Sequence, residues 1–179
     1  MAKKVQLKLN GRDIQRYVRQ LARWRKGLDE DLDFFMRYIA QEAEDYAKSI
    51  CPEGVIDHEG GHLKDSIKAA YNPSSKRITV RAGSAWAIYV EYGTGVVGAA
   101  SPHPDPEGWS YGNRADGWWY PIDENVYEQM ESLGMPVSKN ADGQCFGWTK
   151  GMESRPFMYE TQRYIRGLIE KEAKEFFTP

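Results

Sequence analysis

The chain has 179 residues, of which 41% are hydrophobic and 13% aromatic, so it is long enough and apolar enough to fold as one domain. Its 24 basic and 26 acidic residues leave a net charge of −2, which gives no overall electrostatic reason to bind nucleic acid. Cys51 and Cys145 stand far apart, which argues against a disulfide framework and favours a reducing cytosolic setting.

No apolar run reaches the length of a membrane span, and the early lysines are not followed by the unbroken apolar segment of a secretory signal. We therefore expect no membrane contact. The protein is expected to be made and used in the cytoplasm, or to leave the cell by a route that needs no signal.

The first residues predict a short strand followed by a basic amphipathic helix. Apolar and polar residues alternate over Val5–Leu9, which is typical of a strand with one solvated face. Apolar residues then recur at helical spacing from Ile14 to Trp24, with Asn10 as a plausible cap and Gly27 as the expected end. Four arginines lie on the opposite side of this helix: Arg12, Arg16, Arg19 and Arg23.

This arginine stripe has two interpretations. It could face DNA phosphates or an acidic partner subunit, because phosphate contacts depend only on charge and position. The ordinary alternative is a solvated helix face that keeps the protein soluble. Nine basic residues and one acid lie between Lys3 and Lys26, whereas the segment from Asp29 to Asp45 is mostly acidic.

A second, longer helix is predicted to begin near Asp29 and to end before Pro52. The glycine-rich stretch that follows, to Gly61, is typical of an exposed loop. His58 and His62 are four residues apart, but the two glycines between them argue against the helix that would aim both at one metal ion. We therefore expect no metal site.

Strands are predicted next. Leu63–Tyr71 indicates a strand or a short helical turn, and Arg77–Ala82 alternates as an antiparallel strand. Trp86–Tyr92 is then expected to be extended, with Glu91 near its end and a sharp turn over Gly93–Gly95. Glu91 would be held by backbone amides or an arginine, or would contact a partner.

Residues 96–147 are expected to form a long, loop-rich insertion within a single domain spanning 1–179. Inside it, Trp118–Ile122 predicts a strand and Glu124–Met135 a short helix or more loop, while Cys145–Thr149 would be the last strand. The several tryptophans here are more typical of a local core over a sheet than of a surface that stacks nucleic-acid bases.

A final amphipathic helix begins after Ser154, which is a candidate cap, with Pro156 at its first position. The predicted fold class is therefore α+β: a mostly antiparallel β-sheet packed against the long helix of the N-terminal half and the C-terminal helix.

No catalytic motif is present. The sequence contains no GxSxG, no GxxxxGK followed by Ser or Thr, no HExxH and no CxxC. Gly93–Gly95 resembles a fragment of a phosphate-binding loop, but it lacks the lysine and the following helix. The histidines, among them His103, lie in predicted loops. We expect no catalytic residue and no cofactor.

Several landmarks, taken in order, carry a resemblance that covers nearly the whole chain. They are AKSICP (47–52), GHLKDSI (61–67), AIYVEYGTG (87–95), WWYP (118–121) and TKGMESRPFM (149–158). In this order the chain resembles the small tail-component family of tailed bacteriophages, which are head-tail joining, neck or tail-completion proteins. The interval between Val96 and Gly147 is longer and richer in tryptophan than is typical of that family.

The resemblance implies a structural virion protein with no enzymatic activity, made in the host cytoplasm and assembled into the virion neck or tail. It implies a ring of copies, by analogy six, in the head-tail connector, contacting neighbouring connector and tail proteins and lying near DNA in the channel. The expected contact residues are Arg12, Arg16, Arg19, Arg23, Glu91, Tyr92, Gly93, Thr94, Gly95, Arg155, Pro156 and Phe157. Within this set, the turn after Glu91 and the segment before Phe157 are expected to lie together, with Arg155 meeting Glu91.

Two other classes of function remain open from the residues. The first is a small nucleotide-binding or hydrolase-like enzyme that uses the Gly93–Gly95 turn. The second is a DNA-binding module that uses the arginine stripe.

Overall fold

A computed structural model describes residues 11–53, 62–112 and 116–176. Its elements confirm the α+β class, with antiparallel sheets packed against a long helix near the N-terminus and a helix at the C-terminal end. The strand predicted over Val5–Leu9, the Asn10 cap and His58 lie outside the described residues.

Helix α1 is one continuous element of 40 residues, Gly11–Ile50. The prediction of two helices separated at Gly27 was therefore wrong. A single glycine inside a helix costs only about 1 kcal/mol relative to alanine, and the arginine, lysine and leucine residues around it favour helix. The acidic run from Asp29 is helix interior, and the expected end before Pro52 is confirmed.

A hairpin follows α1. A 3₁₀ turn (Leu63–Ser66) leads into β1 (Ile67–Asn72), which pairs antiparallel with β2 (Arg77–Ala82). The Oδ1 atom of Asn72 accepts hydrogen bonds from the backbone amides of Ser74 and Ser75, at 2.9 and 3.2 Å, and so holds the predicted turn.

The segment around Glu91 is helical, so the predicted strand over Trp86–Tyr92 was wrong. Helix α2 spans Ala87–Tyr92 and buries Ala87, Val90 and Glu91, which are spaced three and four residues apart and so share one helix face. The same short apolar run also alternates, and periodicity alone does not separate the two states over six residues. Helix α3 (Gly95–Ala100) begins three residues after α2 ends, so the expectation that no helix follows the Gly93–Gly95 turn was wrong.

The interval from α3 to the C-terminal helix holds a second antiparallel sheet. Its strands β3 (Trp118–Ile122), β4 (Val137–Lys139) and β5 (Cys145–Thr149) lie in the order β3-β5-β4, and α4 (Glu124–Ser132) connects β3 to β4. The strands predicted at β3 and β5 are confirmed. One further strand, β6 (Gly151–Met152), follows β5 and forms bridges to Thr94 and Gly95, so β5 is not the last strand.

Helix α5 (Phe157–Phe176) confirms the predicted C-terminal helix and runs antiparallel along α1. The rings of Tyr46 and Tyr164 stack at 3.9 Å, and those of Phe35 and Phe176 meet at 5.4 Å. The main core lies where α1, the hairpin, α2 and α5 meet, and its buried members are Ala47, Cys51, Leu63, Ile67, Ala87, Val90 and Phe157. Within the described part of the chain, no helix is both long and apolar enough to cross a membrane.

Candidate functional site

Glu91 lies on the buried face of α2 and caps the start of α5. Its residue surface is 7% exposed. One carboxylate oxygen accepts a hydrogen bond from the amide of Met158 at 2.8 Å, and the other accepts one from the amide of Tyr159 at 2.8 Å. These amides belong to the first turn of a helix and have no partner within it, and a negative charge there also complements the helix dipole.

His103 completes the shell around this carboxylate. Its Nε2 lies 3.1 Å from Glu91 Oε1, and the residue is 4% exposed. Because the carboxylate can only accept, Nε2 carries the hydrogen. The Nδ1 atom lies 2.7 Å from the carbonyl oxygen of Asp105 and 3.0 Å from its amide nitrogen, so the ring is held from both sides.

Aromatic rings enclose the pair. The ring of Tyr92 lies 4.4 Å from that of His103 and stacks on Trp109 at 5.0 Å. The indole Nε1 of Trp109 donates to the carbonyl of Gly93 at 3.1 Å, and the Tyr111 hydroxyl accepts from the His103 amide at 3.0 Å. The loop after α3 therefore covers one side of the Glu91–His103 pair.

The turn from Gly93 to Gly95 is filled by neighbouring backbone. Gly93 has φ +76°, and a Cβ there would lie 2.6 Å from the amide nitrogen of Ser154. The amide of Gly93 donates to Tyr89 O at 2.8 Å, and that of Gly95 donates to Tyr111 O at 2.7 Å. The amides that would cradle a phosphate are thus used inside the protein.

The segment before α5 lies against α2, so the two elements expected to lie together do so. The Ser154 hydroxyl donates to the carbonyl of Glu91 at 2.6 Å, and the amide of Arg155 donates to the carbonyl of Val90 at 2.8 Å. Ser154 therefore does not cap α5 with its side chain. Glu91 provides that cap instead.

The side chain of Arg155 does not form the ion pair expected with Glu91. Among the described residues, the side chain that contacts this carboxylate is His103, and Arg155 is exposed. Arg155 and Pro156 line a shallow depression of about 430 Å³ beside α1. Phe157 is 2% exposed and belongs to the main core, so it is not available to a partner.

We call the contact of Glu91 and the Gly93–Gly95 turn with the start of α5 the junction. The arginine stripe lies far along α1 from it. Arg12, Arg16, Arg19 and Arg23 are all exposed, and within the part of the chain that the structure describes the first buried residue of α1 is Phe35. The apolar side of the same half-helix is exposed as well: Ile14 46%, Val18 59%, Leu21 63%, Trp24 68% and Leu28 42%.

Two open cavities flank the junction. The first, about 520 Å³, is an apolar groove between the hairpin and α5 with α1 as its floor. We call it the apolar groove, and its apolar lining residues include Met36, Ala43, Ile78, Val80, Ile165 and Ile169. Polar side chains also line it: Glu91, His103, Asp105, Thr161 and Gln162. The second, about 560 Å³, is lined mainly by aromatic side chains of α2 and β3, among them Trp86, Tyr89, Trp118 and Tyr120.

Charged hydrogen bonds tie α1 to the hairpin. Hydrogen bonds from Lys76 and then from the Tyr71 hydroxyl hold the pKa of the Asp33 carboxyl below its usual value. A hydrogen bond from Lys48, together with one from the backbone amide of Ala69, lowers the pKa of Glu44 in the same way.

Sequence reasoning missed the role of His103, which was placed among the loop histidines. Nothing local signals its pairing with Glu91, because the two residues meet only through the turn that follows α3. Among the described residues, no group of three or more His, Cys, Asp or Glu side chains is arranged to hold a metal ion.

No protein-family model, curated protein or solved structure matches this chain.

Proposed function

We propose that this protein is a structural subunit of a bacteriophage or prophage virion, a ring-forming component of the head-tail connector that works by contact and not by catalysis. The observation that carries the proposal is the N-terminal half of α1. A stretch of about 27 Å of helix, residues 11–28, exposes its apolar face along its whole length. An amphipathic helix gains most of its stability from covering that face.

A ring is the assembly that this shape favours. In a ring each subunit offers two different surfaces, one to each neighbour. The projecting half-helix is one such surface, and the body of the molecule supplies the other. The order of the YVEYGTG and RPFM elements, which resembles that of the phage tail-component family, supports placing the ring in the connector.

The contacts of the Gly93–Gly95 turn favour a structural role over a nucleotide-binding one. Its amides bind Tyr89 and Tyr111, and its open side is occupied by the backbone of Met152 and Ser154. The residues that resemble the family's motif therefore join α2, β6 and α5 into one rigid junction.

The arginine stripe supports a secondary contact with DNA. It lies on the side of α1 opposite the apolar face, so it stays exposed when that face is covered by another subunit. In a ring around a channel, four arginines per copy would face passing phosphates without reading sequence.

Mass measurement by native mass spectrometry and sedimentation tests the proposal, on the protein alone and mixed with connector proteins encoded beside it. We expect a closed oligomer in at least one of the two samples. A protein that is monomeric in both, or that turns over a small molecule at a rate abolished by one substitution, would contradict the proposal. Random DNA bound by the monomer in a salt-dependent manner would favour the DNA-binding alternative.

A further inference from the structure

The exposed half of α1 continues a face that the same helix buries further along. At 3.6 residues per turn, Ile14, Val18 and Leu21 fall on the same side of α1 as Met36 and Ile39. In the second half of the helix this side is covered by α5 and the hairpin. In the first half, no side chain of the described residues is buried. We call residues 11–28 the arm.

The apolar groove matches the arm in chemistry and length. Its walls come from β2 (Ile78, Val80) and α5, and its floor from α1. It remains open to solvent, since Ile169 at its end is 37% exposed. From Met158 to Ile169 the α5 wall extends about 17 Å, which is the length of three helical turns. Three turns also separate Ile14 from Trp24, the span that carries most of the arm's exposed apolar side chains.

Charge distinguishes the two partners of such a contact. The arm carries six basic residues and one acid, a net charge of +5. Among the described residues that line the groove, two are acids, Glu91 and Asp105, and none is lysine or arginine. The α1 segment beneath it, 29–45, carries seven acids and one arginine, although two of these acids, Asp33 and Glu44, are paired with Lys76 and Lys48. Opposite electrostatic potentials on two surfaces speed their association, and contacts between surfaces of like charge are disfavoured. The arm of one copy is therefore attracted to the groove side of another.

We propose that the arm of each subunit docks, as an amphipathic helix in a groove, into the apolar groove of the next copy of this chain. This inference rests on the proposed function and names the two surfaces that build the ring. Arm and groove are different surfaces of one molecule, so each contact leaves a free arm at one end and a free groove at the other. The series closes as a ring of several copies, or as a dimer when two copies dock reciprocally.

Cross-linking tests the contact directly. One chain carries Val18→Cys in the arm, and a second carries Ile169→Cys at the groove. Both native cysteines are buried, so a short bis-maleimide reacts at the introduced positions. We expect a covalent heterodimer from the mixture. A matched chain with Arg19→Cys, an exposed residue on the side of α1 opposite the apolar residues, should give several-fold less product.

Two disabling variants test the direction of docking. Leu21→Asp removes an apolar anchor from the arm, and Ile169→Arg places a positive charge against the basic arm. Each alone should weaken self-association at least about 100-fold. Mixed together they should form a 1:1 complex and stop, because one intact arm and one intact groove remain. Arg19→Gln lowers the charge of the arm by the same amount as Leu21→Asp, on the opposite side of the helix, and should leave the assembly size of the wild type.

The outcomes separate this inference from the proposed function. Self-association that persists in both disabling variants, or cross-linking that is equal through Arg19→Cys, overturns arm-to-groove docking and leaves a ring built otherwise. A wild type that stops at a dimer overturns the ring, and it overturns the docking as well when the Val18→Cys and Ile169→Cys chains do not cross-link. A wild type that is monomeric alone and forms a ring only with neighbouring proteins, with no Val18-to-Ile169 cross-link, overturns the docking and retains the function. A monomer in every sample overturns both.

Discussion

The junction around Glu91 and the arm of α1 differ in burial and in the contacts that their side chains make. At the junction a buried carboxylate has two backbone amides and a histidine as partners, and the neighbouring turn is closed by backbone contacts. In the described residues of the arm, apolar side chains face solvent and no side chain is buried.

This difference indicates a division of labour. Substitutions at a fully satisfied, buried site change the free energy of unfolding, because they leave polar groups without partners. Substitutions on an exposed helix far from the core change folding stability little and act on whatever covers that face. We therefore expect the junction to control stability and the arm to control assembly.

The largest effect is expected at Glu91. Glu91→Gln removes the negative charge between two helix amides and His103, and should lower the free energy of unfolding by about 2–3 kcal/mol. Urea denaturation followed by circular dichroism measures this. Glu107→Gln, on an exposed residue of the same loop region, should stay within about 0.5 kcal/mol of the wild type.

The same measurement tests the role of Arg155. Because its side chain makes no ion pair with Glu91 among the described residues, Arg155→Ala combined with Glu91→Gln should be additive. A coupling energy above about 1 kcal/mol between the two substitutions would show that the junction also depends on an arginine.

Alanine substitution at two glycines with nearly equal φ separates the cost of a left-handed backbone from the cost of steric crowding. Gly93 has φ +76° and would place a Cβ 2.6 Å from backbone, whereas Gly108 has φ +77° and open space around it. Gly108→Ala should cost about 1 kcal/mol, the price of a left-handed alanine. Gly93→Ala should cost about 2 kcal/mol, because the backbone of β6 must also move. Equal losses of stability would mean that the turn is not closely packed.

Elements with a long or repeated pattern were predictable from the sequence. Helix α5 combines many periodic residues with a proline just before its first turn, and the hairpin has alternating strands joined by an asparagine turn. The segment Ala87–Tyr92 was not predictable, since a run of six mostly apolar residues fits either period. Gly27 was misinterpreted because the helix propensity of the neighbouring residues outweighs one glycine.

The shell of the candidate site was only partly predictable. The sequence indicated that Glu91 would be held by amides or an arginine, and that its turn would meet the segment before Phe157. The particular amides, of Met158 and Tyr159, lie 67 and 68 residues further along the chain. No local pattern encodes such a pairing, because it depends on how α2 and α5 pack together.

A smaller effect should separate local from global stability. Gly27 in the arm and Gly167 in α5 are helical glycines with open space around them, so alanine at either should stabilise helix by about 0.5–1 kcal/mol. Gly167→Ala should raise the free energy of unfolding of the whole domain. Gly27→Ala should slow amide exchange by up to about fivefold in the arm and leave α1 near Ile39 unchanged. Equal slowing in both halves would show that arm and body open as one unit.

The smallest effect concerns pH and the link between α1 and the hairpin. The Asp33 pKa lies below its ordinary value of 3.8 because Lys76, and then Tyr71, donate hydrogen bonds to the carboxylate. A lowered folded-state pKa adds stability that is present above 3.8 and is lost as the pH falls through the lower folded value. Wild type and Asp33→Asn should therefore differ in denaturation midpoint at pH 7 and converge on acidification. Lys76→Met should reduce that difference more than Tyr71→Phe, whereas a difference that grows in acid would contradict the assignment.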